Sequence, residues 1–327
     1  MRNVSKASLP ALPYPRCVLW LIDVEPDARK PVCGVRGGWE GTREALPLIE
    51  AARRELEKRT ATPVVINWFF RFDPQIEQTW GRADHALAVA PDLLGTIASH
   101  GDYAGIHPHL WRWHPHARDW FNDFSDAWME HCLDTAVATF ASVFDRRPEA
   151  SRFGDRWLND TAMRALAARG IRYDLSLEPG RPAEPPLRDR LASGMLPDTR
   201  NAPRVPFQRD GAAGPWIVPL TTSAPRWQPV WYRPLIARAS VNPNLGSWPA
   251  LVAPHLEHEL ARRSEEPLVI VLRTGDFCSR RRQAWFRRNL ARMLAHPGLD
   301  RCVFTTPPVA IRRWIELRDA ASRRCAP

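Results

Sequence analysis

Apolar positions in this chain fall into short continuous runs separated by longer stretches of helical periodicity. The first run, 17–22 (CVLWLI), is unbroken, as in a strand buried on both faces, and it ends in the acidic segment Asp23-Val24-Glu25-Pro26-Asp27. A glycine-containing loop at 34–41 follows, then helical spacing over 42–59 with Pro47 near its start. The next strand is predicted at 63–70 (PVVINWFF) and the next helix at 83–99. A third strand, YAGIHPHL, lies within 101–116, and an amphipathic helix is predicted over 120–144, ending before Arg147-Pro148. A short strand at 150–154 leads to a helix capped by Asn159 or Asp160 and stopped at Gly170. Further strands are predicted at 171–177, 216–222, 268–273 and 302–305, with helices near 249–263, 281–295 and from 308 onward. Residues 178–215 and 223–250 are rich in proline and lack periodicity, which predicts irregular insertions, the first a candidate flap over one end of the fold.

Strand and helix alternate about eight times at parallel-sheet spacing, which predicts an α/β fold, most simply a closed or nearly closed (β/α) barrel of about seven or eight parallel strands. The competing open sheet lacks a GxGxxG after its first strand. The barrel is expected over 17–318 as one domain, with a flexible leader at 1–16 and a tail at 319–327.

Composition narrows the function classes. A net charge of +10 invites a phosphate-binding reading, but lysine stands only at Lys6, Lys30 and Lys58. The arginines are spread along the chain with one cluster at 280–288, and no recognition motif accompanies them, so no nucleic-acid partner is expected. Cys17, Cys33, Cys132, Cys278, Cys302 and Cys325 form no CxxC pair and read as reduced thiols. No apolar stretch is long enough to span a bilayer, and the proline-studded N-terminus lacks a signal-peptide core. A cytoplasmic protein with no membrane partner is expected, its oligomeric state unspecified.

The candidate chemistry collects at strand ends. His107 and His109 stand two apart and share one face of a strand, a spacing able to chelate a metal. Alone, such a pair reads more readily as loop residues or as rings stacked on Trp111 and Trp113; the carboxylates Asp23 and Glu25, also two apart at a strand end, reverse the reading to a metal site. Arg152 with Asp155, Asp174, and Arg273 with Asp276 follow other predicted strands, as in barrel active sites assembled from several strand ends.

Taken in order, these segments resemble the motifs of the polysaccharide deacetylase family (the NodB-homology fold). LIDVEP is similar to its acidic first motif, GDYAGIHPH to its histidine motif, and ASRFGDRWLND to its arginine motif. ALAARGIRYDLSLEP resembles its helix-glycine-strand segment and VFTTPPVAI its last strand, so the likeness runs from about residue 17 to 315. Two departures stand out. The family's histidines are four apart, whereas Trp111 stands four after His107 and the second histidine is His109; and Leu272-Arg273-Thr274 occupies the place of the family's late histidine.

The resemblance implies a barrel of the glycoside hydrolase/deacetylase type and a divalent metal, zinc first, held by Glu25, His107 and His109. It implies Asp23 as general base, oriented by Arg152, and hydrolysis of an N-acetyl group. Trp111, Trp113, Asp155, Asp174 and Arg273 are candidate substrate-side residues; Asp155 and Asp174 read equally as a helix cap or a structural ion pair, and the tryptophans equally as core. His114, His255 or Arg273 would compensate for the missing histidine if activity is kept. The leading expectation is a metal-dependent deacetylase of an amino sugar, an oligosaccharide or a related acylated small molecule. The alternatives are a hydrolase of non-sugar C–N bonds on the same barrel and a catalytically inactive carbohydrate-binding relative.

Overall fold

The computed structural model describes residues 15–32, 37–186, 189–192, 194–209, 214–222, 242–262 and 264–325. The expectations for most of the 1–16 leader and for most of the 223–250 insertion lie outside these residues. In chain order the elements are β1 (Arg16–Val24), α1 (Glu40–Thr60), β2 (Ile66–Phe70), α2 (Pro74–Trp80), α3 (His85–Val89), α4 (Leu93–His100) and β3 (Tyr103–Ile106). There follow β4 (Trp111–His114), β5 (Asp119–Asn122), α5 (Asp126–Phe144), β6 (Ala150–Ser151), α6 (Asp160–Ala168), β7 (Tyr173–Asp174), β8 (Phe207–Gln208) and β9 (Trp216–Ile217). The last are α7 (Pro249–Ala261), β10 (Leu268–Arg273), α8 (Arg280–Ala295), β11 (Cys302–Phe304) and α9 (Pro307–Cys325).

One curled sheet runs β10-β1-β2-β3-β6-β7-β9-β8, with β11 beside the first residues of β1. All its pairings are parallel except β8 with β9. The curl does not close through a strand ladder among the described residues. Its seam is held by Val269 N–H donating to Thr221 Oγ1 at 2.8 Å and by a single bridge between Asn244 and Val271. The expected barrel is therefore a nearly closed one.

Strand parity sorts the core into two layers. Val18, Trp20, Ile22 and Val24 of β1, with Leu268, Ile270 and Leu272 of β10, pack against the surrounding helices. Cys17, Leu19, Leu21, Phe69, Val269 and Val271 fill the concave side with Tyr173, Leu175, Val218 and Leu220, and Ala310 and Ile311 of α9 join them. A residue of the concave parity that lies beyond this apolar plug must therefore face the interior at the C-terminal ends of the strands. Asp23 and Glu25 continue Cys17, Leu19 and Leu21, and Arg273 continues Val269 and Val271.

The helical layer is fixed by buried charge as well as by apolar contact. The Asp102 carboxylate accepts from both terminal nitrogens of Arg53, at 2.8 and 2.5 Å, from Ile66 N–H at 2.9 Å and from the Trp68 indole at 2.8 Å. One acid so joins α1, β2 and the residue before β3, and every lone pair it buries is used.

Two predicted elements differ. The helix expected from residue 120 starts at Asp126; residues 119–122 are instead β5, paired antiparallel with β4 in a hairpin whose turn holds Arg118 at φ +48°. The period-two alternation of Trp111 and Trp113 with Arg112 and His114 favours strand over helix there. The helix expected over 83–99 is two, α3 and α4, split where Pro91 removes a backbone donor. Among the described residues no helix is long and apolar enough to cross a membrane.

Candidate active site

Asp23, one residue before the end of β1, lies inside the sheet in register with Arg273 of β10 and Phe69 of β2. Asp23 is buried, and its Oδ1 accepts from Arg152 Nε at 2.8 Å. Burial works to discharge Arg152, but the charge and hydrogen bond of Asp23 outweigh it, and the guanidinium pKa is raised. A second Arg152 nitrogen donates to the Leu175 carbonyl at 2.9 Å, so the arginine is clamped from two sides.

β3 stops at Ile106, one residue short of the first histidine, yet its ladder continues: His107 N–H donates to Phe70 O at 2.7 Å and Arg152 N–H to Ile106 O at 2.9 Å. His107 and His109 keep the concave parity and both are buried, their ring centroids 4.9 Å apart. The Nε2 atoms lie 3.2 Å from each other, and Glu25 Oε2 lies 3.8 Å from His107 Nε2 and 3.5 Å from His109 Nε2. Two nitrogens bound to one tetrahedral zinc at ~2.0–2.1 Å stand about 3.3 Å apart, so the spacing fits a shared metal. Among the described residues these three form the group of histidine, cysteine and carboxylate atoms able to hold an ion.

The atoms behind the rings set their tautomers. His107 Nδ1 is 2.5 Å from the Arg152 carbonyl, which can only accept, so Nδ1 carries the proton and Nε2 keeps its lone pair. His109 Nδ1 is 3.1 Å from Asp155 Oδ2 and 3.2 Å from the Trp111 indole nitrogen, and one ring nitrogen cannot donate and accept together. The carboxylate is the stronger partner, so Nδ1–H points to Asp155 and Nε2 again faces Glu25. Burial and the nearby Arg71 guanidinium push the His109 pKa well down, which keeps the ring neutral as a ligand requires. Glu25 is buried too, yet Arg273 first and then the two histidines hold its carboxyl well below the usual range. Arg273 Nε bonds Glu25 Oε1, leaving Oε2 for the histidine side.

Asp23, Glu25, His107, His109, Arg152, Asp155 and Arg273 thus line one cavity of about 470 Å³. Glu184, Pro185 and Leu196 of the first insertion form another part of its wall, as does Asn244. The remaining three residues predicted on the substrate side lie elsewhere. Trp111 is fully buried in the hairpin with its indole against His109, and Trp113 packs on Trp120 at a centroid distance of 5.1 Å; neither lines the cavity. His114 also sits on the hairpin, against Phe121, and His255 is buried in α7, so neither replaces the missing histidine.

Asp174 takes the opposite parity from Tyr173 and Leu175 and does not reach the cavity. Its oxygens accept from Ser176 N–H at 3.0 Å and Ser176 Oγ at 2.8 Å, and Ser176 Oγ in turn accepts from Phe153 N–H at 2.7 Å, beside Arg152. Burial raises the Asp174 pKa to about 7. Between the ordinary carboxylate range and that value the folded chain binds a proton that the unfolded chain has lost, so stability falls as pH rises through this window. Asp174→Asn keeps an acceptor for Ser176 and removes the buried charge. It is expected to be near neutral at pH 4 and stabilising by roughly 1–4 kcal/mol at pH 8, read from urea midpoints at both pH values. An equal effect at both would rule out the buried charge as the cause.

Sequence reasoning missed the support behind the histidines. Asp73 caps α2 through Oδ1, accepting from Gln75 and Ile76 N–H, while its Oδ2 accepts from His109 N–H at 3.0 Å and Arg71 Nε at 2.8 Å. Arg29 pairs with Asp155, and burial lowers its pKa to about 10. Thr274 Oγ1 accepts from Glu25 N–H at 3.1 Å. The run Arg71-Phe72-Asp73-Pro74 directly after a strand carried the signal for the first two residues, at the same parity as Phe69.

No family model matches the sequence, and no curated protein matches it significantly. Solved structures do. A protein from Mycobacterium smegmatis assigned as a polysaccharide deacetylase superposes with a TM-score of 0.51 over 94% of this chain and 93% of its own, at 13% identity. A protein from Parabacteroides distasonis assigned as a glycoside hydrolase/deacetylase gives 0.51 over 93% and 72%, at 10% identity. At such identities the likeness is one of fold, and it agrees with the order of the sequence motifs: the chain is built on the curled, mostly parallel (β/α) barrel of the polysaccharide deacetylases.

Proposed function

We propose that the chain is a metal-dependent hydrolase that removes an acyl group, N-acetyl first, from an amino sugar or a related acylated small molecule. The observation that carries this reading is the convergence of Glu25, His107 and His109, each with its free donor atom turned to the others and its far side held by Arg273, the Arg152 carbonyl or Asp155. Two neutral imidazoles and one carboxylate suit zinc and leave a coordination position open. When bound, the metal would polarise the acyl carbonyl and acidify the attacking water.

Asp23, beside this group but not part of it, takes the proton of the attacking water as the new C–O bond forms. Arg152 fixes the orientation of Asp23 through a charge-assisted hydrogen bond, with Oδ1 held and Oδ2 left for the proton. As the C–N bond breaks, the same carboxyl returns that proton to the leaving amine. Asp23 serves both steps because the described cavity wall offers no imidazole beyond His107 and His109, and Arg273, its pKa raised by Glu25 against the effect of burial, does not release a proton. Arg273 contributes positive charge instead. Trp111 acts through His109, filling the space behind the ring.

Elemental analysis of the purified protein is the direct test. About one zinc or similar ion per chain is expected in the wild type, with loss from both His107→Ala and His109→Ala. A wild type without metal, even after reconstitution with zinc, removes the hydrolase reading. The missing third imidazole favours a second reading, a binding protein on the same barrel: full metal content without acetate release from any acylated amino sugar would select it.

A further inference from the structure

Five arginines line the cavity: Arg29, Arg152, Arg156, Arg181 and Arg273. Three are engaged with the site itself, Arg152 with Asp23, Arg273 with Glu25 and Arg29 with Asp155. Arg156 stands apart from these. Its side chain is 9% exposed; Nη2 donates to Glu184 Oε1 at 2.7 Å, while Nη1 is buried with no hydrogen-bond partner. A buried guanidinium nitrogen without an acceptor is unfavourable, and native structures seldom leave one without a water, an ion or a ligand to complete it; in a cavity wall that partner can be a bound anion. The backbone that aims it is strained as well, Arg156 at φ +62° directly after Asp155 at φ +51°. The acid it does hold is shared, since Arg181 Nη2 donates to the same Glu184 oxygen at 2.8 Å.

The rest of the wall points the same way. Apart from the two imidazoles, Phe153 is the one aromatic side chain among the described lining residues, so they offer no indole face for a neutral sugar ring. Asp23, Glu25, Asp155, Glu178 and Glu184 balance the five arginines, and a divalent ion at the histidines would leave the cavity cationic. Guanidinium forks match carboxylate and phosphate oxygens.

We infer that the substrate carries an anionic group, a carboxylate or a phosphate, which docks on Arg156 at the wall formed with the first insertion. The inference rests on the hydrolase reading for the remainder of the substrate. Glu184 is then the group that the anion partly displaces, and its charge weakens binding.

Calorimetric titration of metal-stripped protein, freed of chelator, tests this without turnover and without an ion to receive the anion. The probes are N-acetylglucosamine, its 6-phosphate and N-acetylmuramic acid. At least one charged probe is expected to bind about ten-fold more tightly than the neutral sugar, and which one identifies phosphate or carboxylate. Arg156→Ala should abolish that advantage and leave the neutral sugar within about two-fold. Glu184→Gln, at a half-exposed side chain of the insertion, should tighten the charged probe by about three-fold or more, and it reports even if the arginine variant fails to fold. Equal affinities for charged and neutral probes, no binding by any of them, or a preference unmoved by the folded variants overturns the inference. A protein that holds no zinc but still prefers the charged sugar through Arg156 sinks the hydrolase reading and leaves this one standing.

Discussion

Replacing Asp23 by asparagine is expected to lower acetate release by about 10²–10⁴-fold while the protein keeps its full metal content. The two halves of that result separate a base from a ligand. Asp23 lies outside the group formed by Glu25, His107 and His109, although its Oδ1 comes within 3.9 Å of His107 Nδ1. That nitrogen is the proton-bearing one, bonded to the Arg152 carbonyl, so Asp23 Oδ1 faces the back of the ring and is not placed to bind the ion. Asparagine retains an oxygen for Arg152 Nε and nearly the same volume, but it cannot take a proton from water. Losing one member of a buried ion pair also costs stability, by up to about 3–5 kcal/mol, so the comparison belongs at a temperature well below the variant's melting point. Glu25→Gln is the counterpart and should lose metal and activity together. If Asp23→Asn loses metal instead, the acid is a ligand; if it keeps activity within about ten-fold, the base lies elsewhere.

Much of the fold was legible because parallel strands buried on both faces leave continuous apolar runs. Residues 268–273 were bounded correctly, and the runs at 17–22 and 63–70 fall on β1 and β2. The predicted strands at 150–154, 171–177 and 216–222 shrink to two residues each, yet their pairing continues: Leu175 N–H donates to Ser151 O, Val218 N–H to Asp174 O and Leu220 N–H to Leu177 O. Strong curling interrupts the regular ladder without ending the contact. The second strand of the hairpin was missed because Trp120 and Phe121 read as the start of the helix that follows; the period-two alternation at 111–114 was the available signal, and the turn at Arg118 brings the two strands together.

At the site, parity did most of the work. Two residues apart at a strand end means one face, and this brought Asp23 and Glu25, and His107 and His109, into one cavity. The same rule could not place Asp174. In IRYDLSL both faces of the strand are buried, and nothing in the sequence says which one is concave. Nearness in sequence misled for Trp111 and Trp113, since the chain leaves the cavity directly after His109 and carries both indoles into the hairpin. Asp73 and Arg71 follow β2 at the parity of Phe69, so the same rule could have placed them, but nothing in the sequence says that they act through the His109 backbone and ring.

Gly154→Ala is expected to empty the metal site without replacing a ligand. A Cβ at this position would lie 2.1 Å from His109 Nε2 and 2.2 Å from both Cδ2 and Cε1, far inside van der Waals contact. The ring has nowhere to retreat. Its Nδ1 is held by Asp155, Trp111 packs behind it, and its backbone N–H is held by Asp73. Gly154 cannot easily move either: its N–H donates to Pro108 O at 2.9 Å, its carbonyl accepts from Trp157 N–H at 3.1 Å, and the two residues after it already have left-handed backbones. The added methyl should therefore turn the His109 imidazole out of line with Glu25 and His107. Zinc per chain is expected to fall at least about ten-fold, with a stability loss of roughly 1–3 kcal/mol from overpacking. Gly95→Ala in α4, where a Cβ meets nothing within 4 Å, is the matched control and should leave metal content unchanged while adding slightly to stability. Undiminished zinc in Gly154→Ala would mean that His109 is not a ligand, and the metal group would have to be rebuilt around Glu25 and His107 alone. Loss of zinc with most of the stability kept would show that the glycine is required by the chemistry of the site and not by the fold, because the nearest atoms a methyl would meet there belong to the imidazole that faces Glu25.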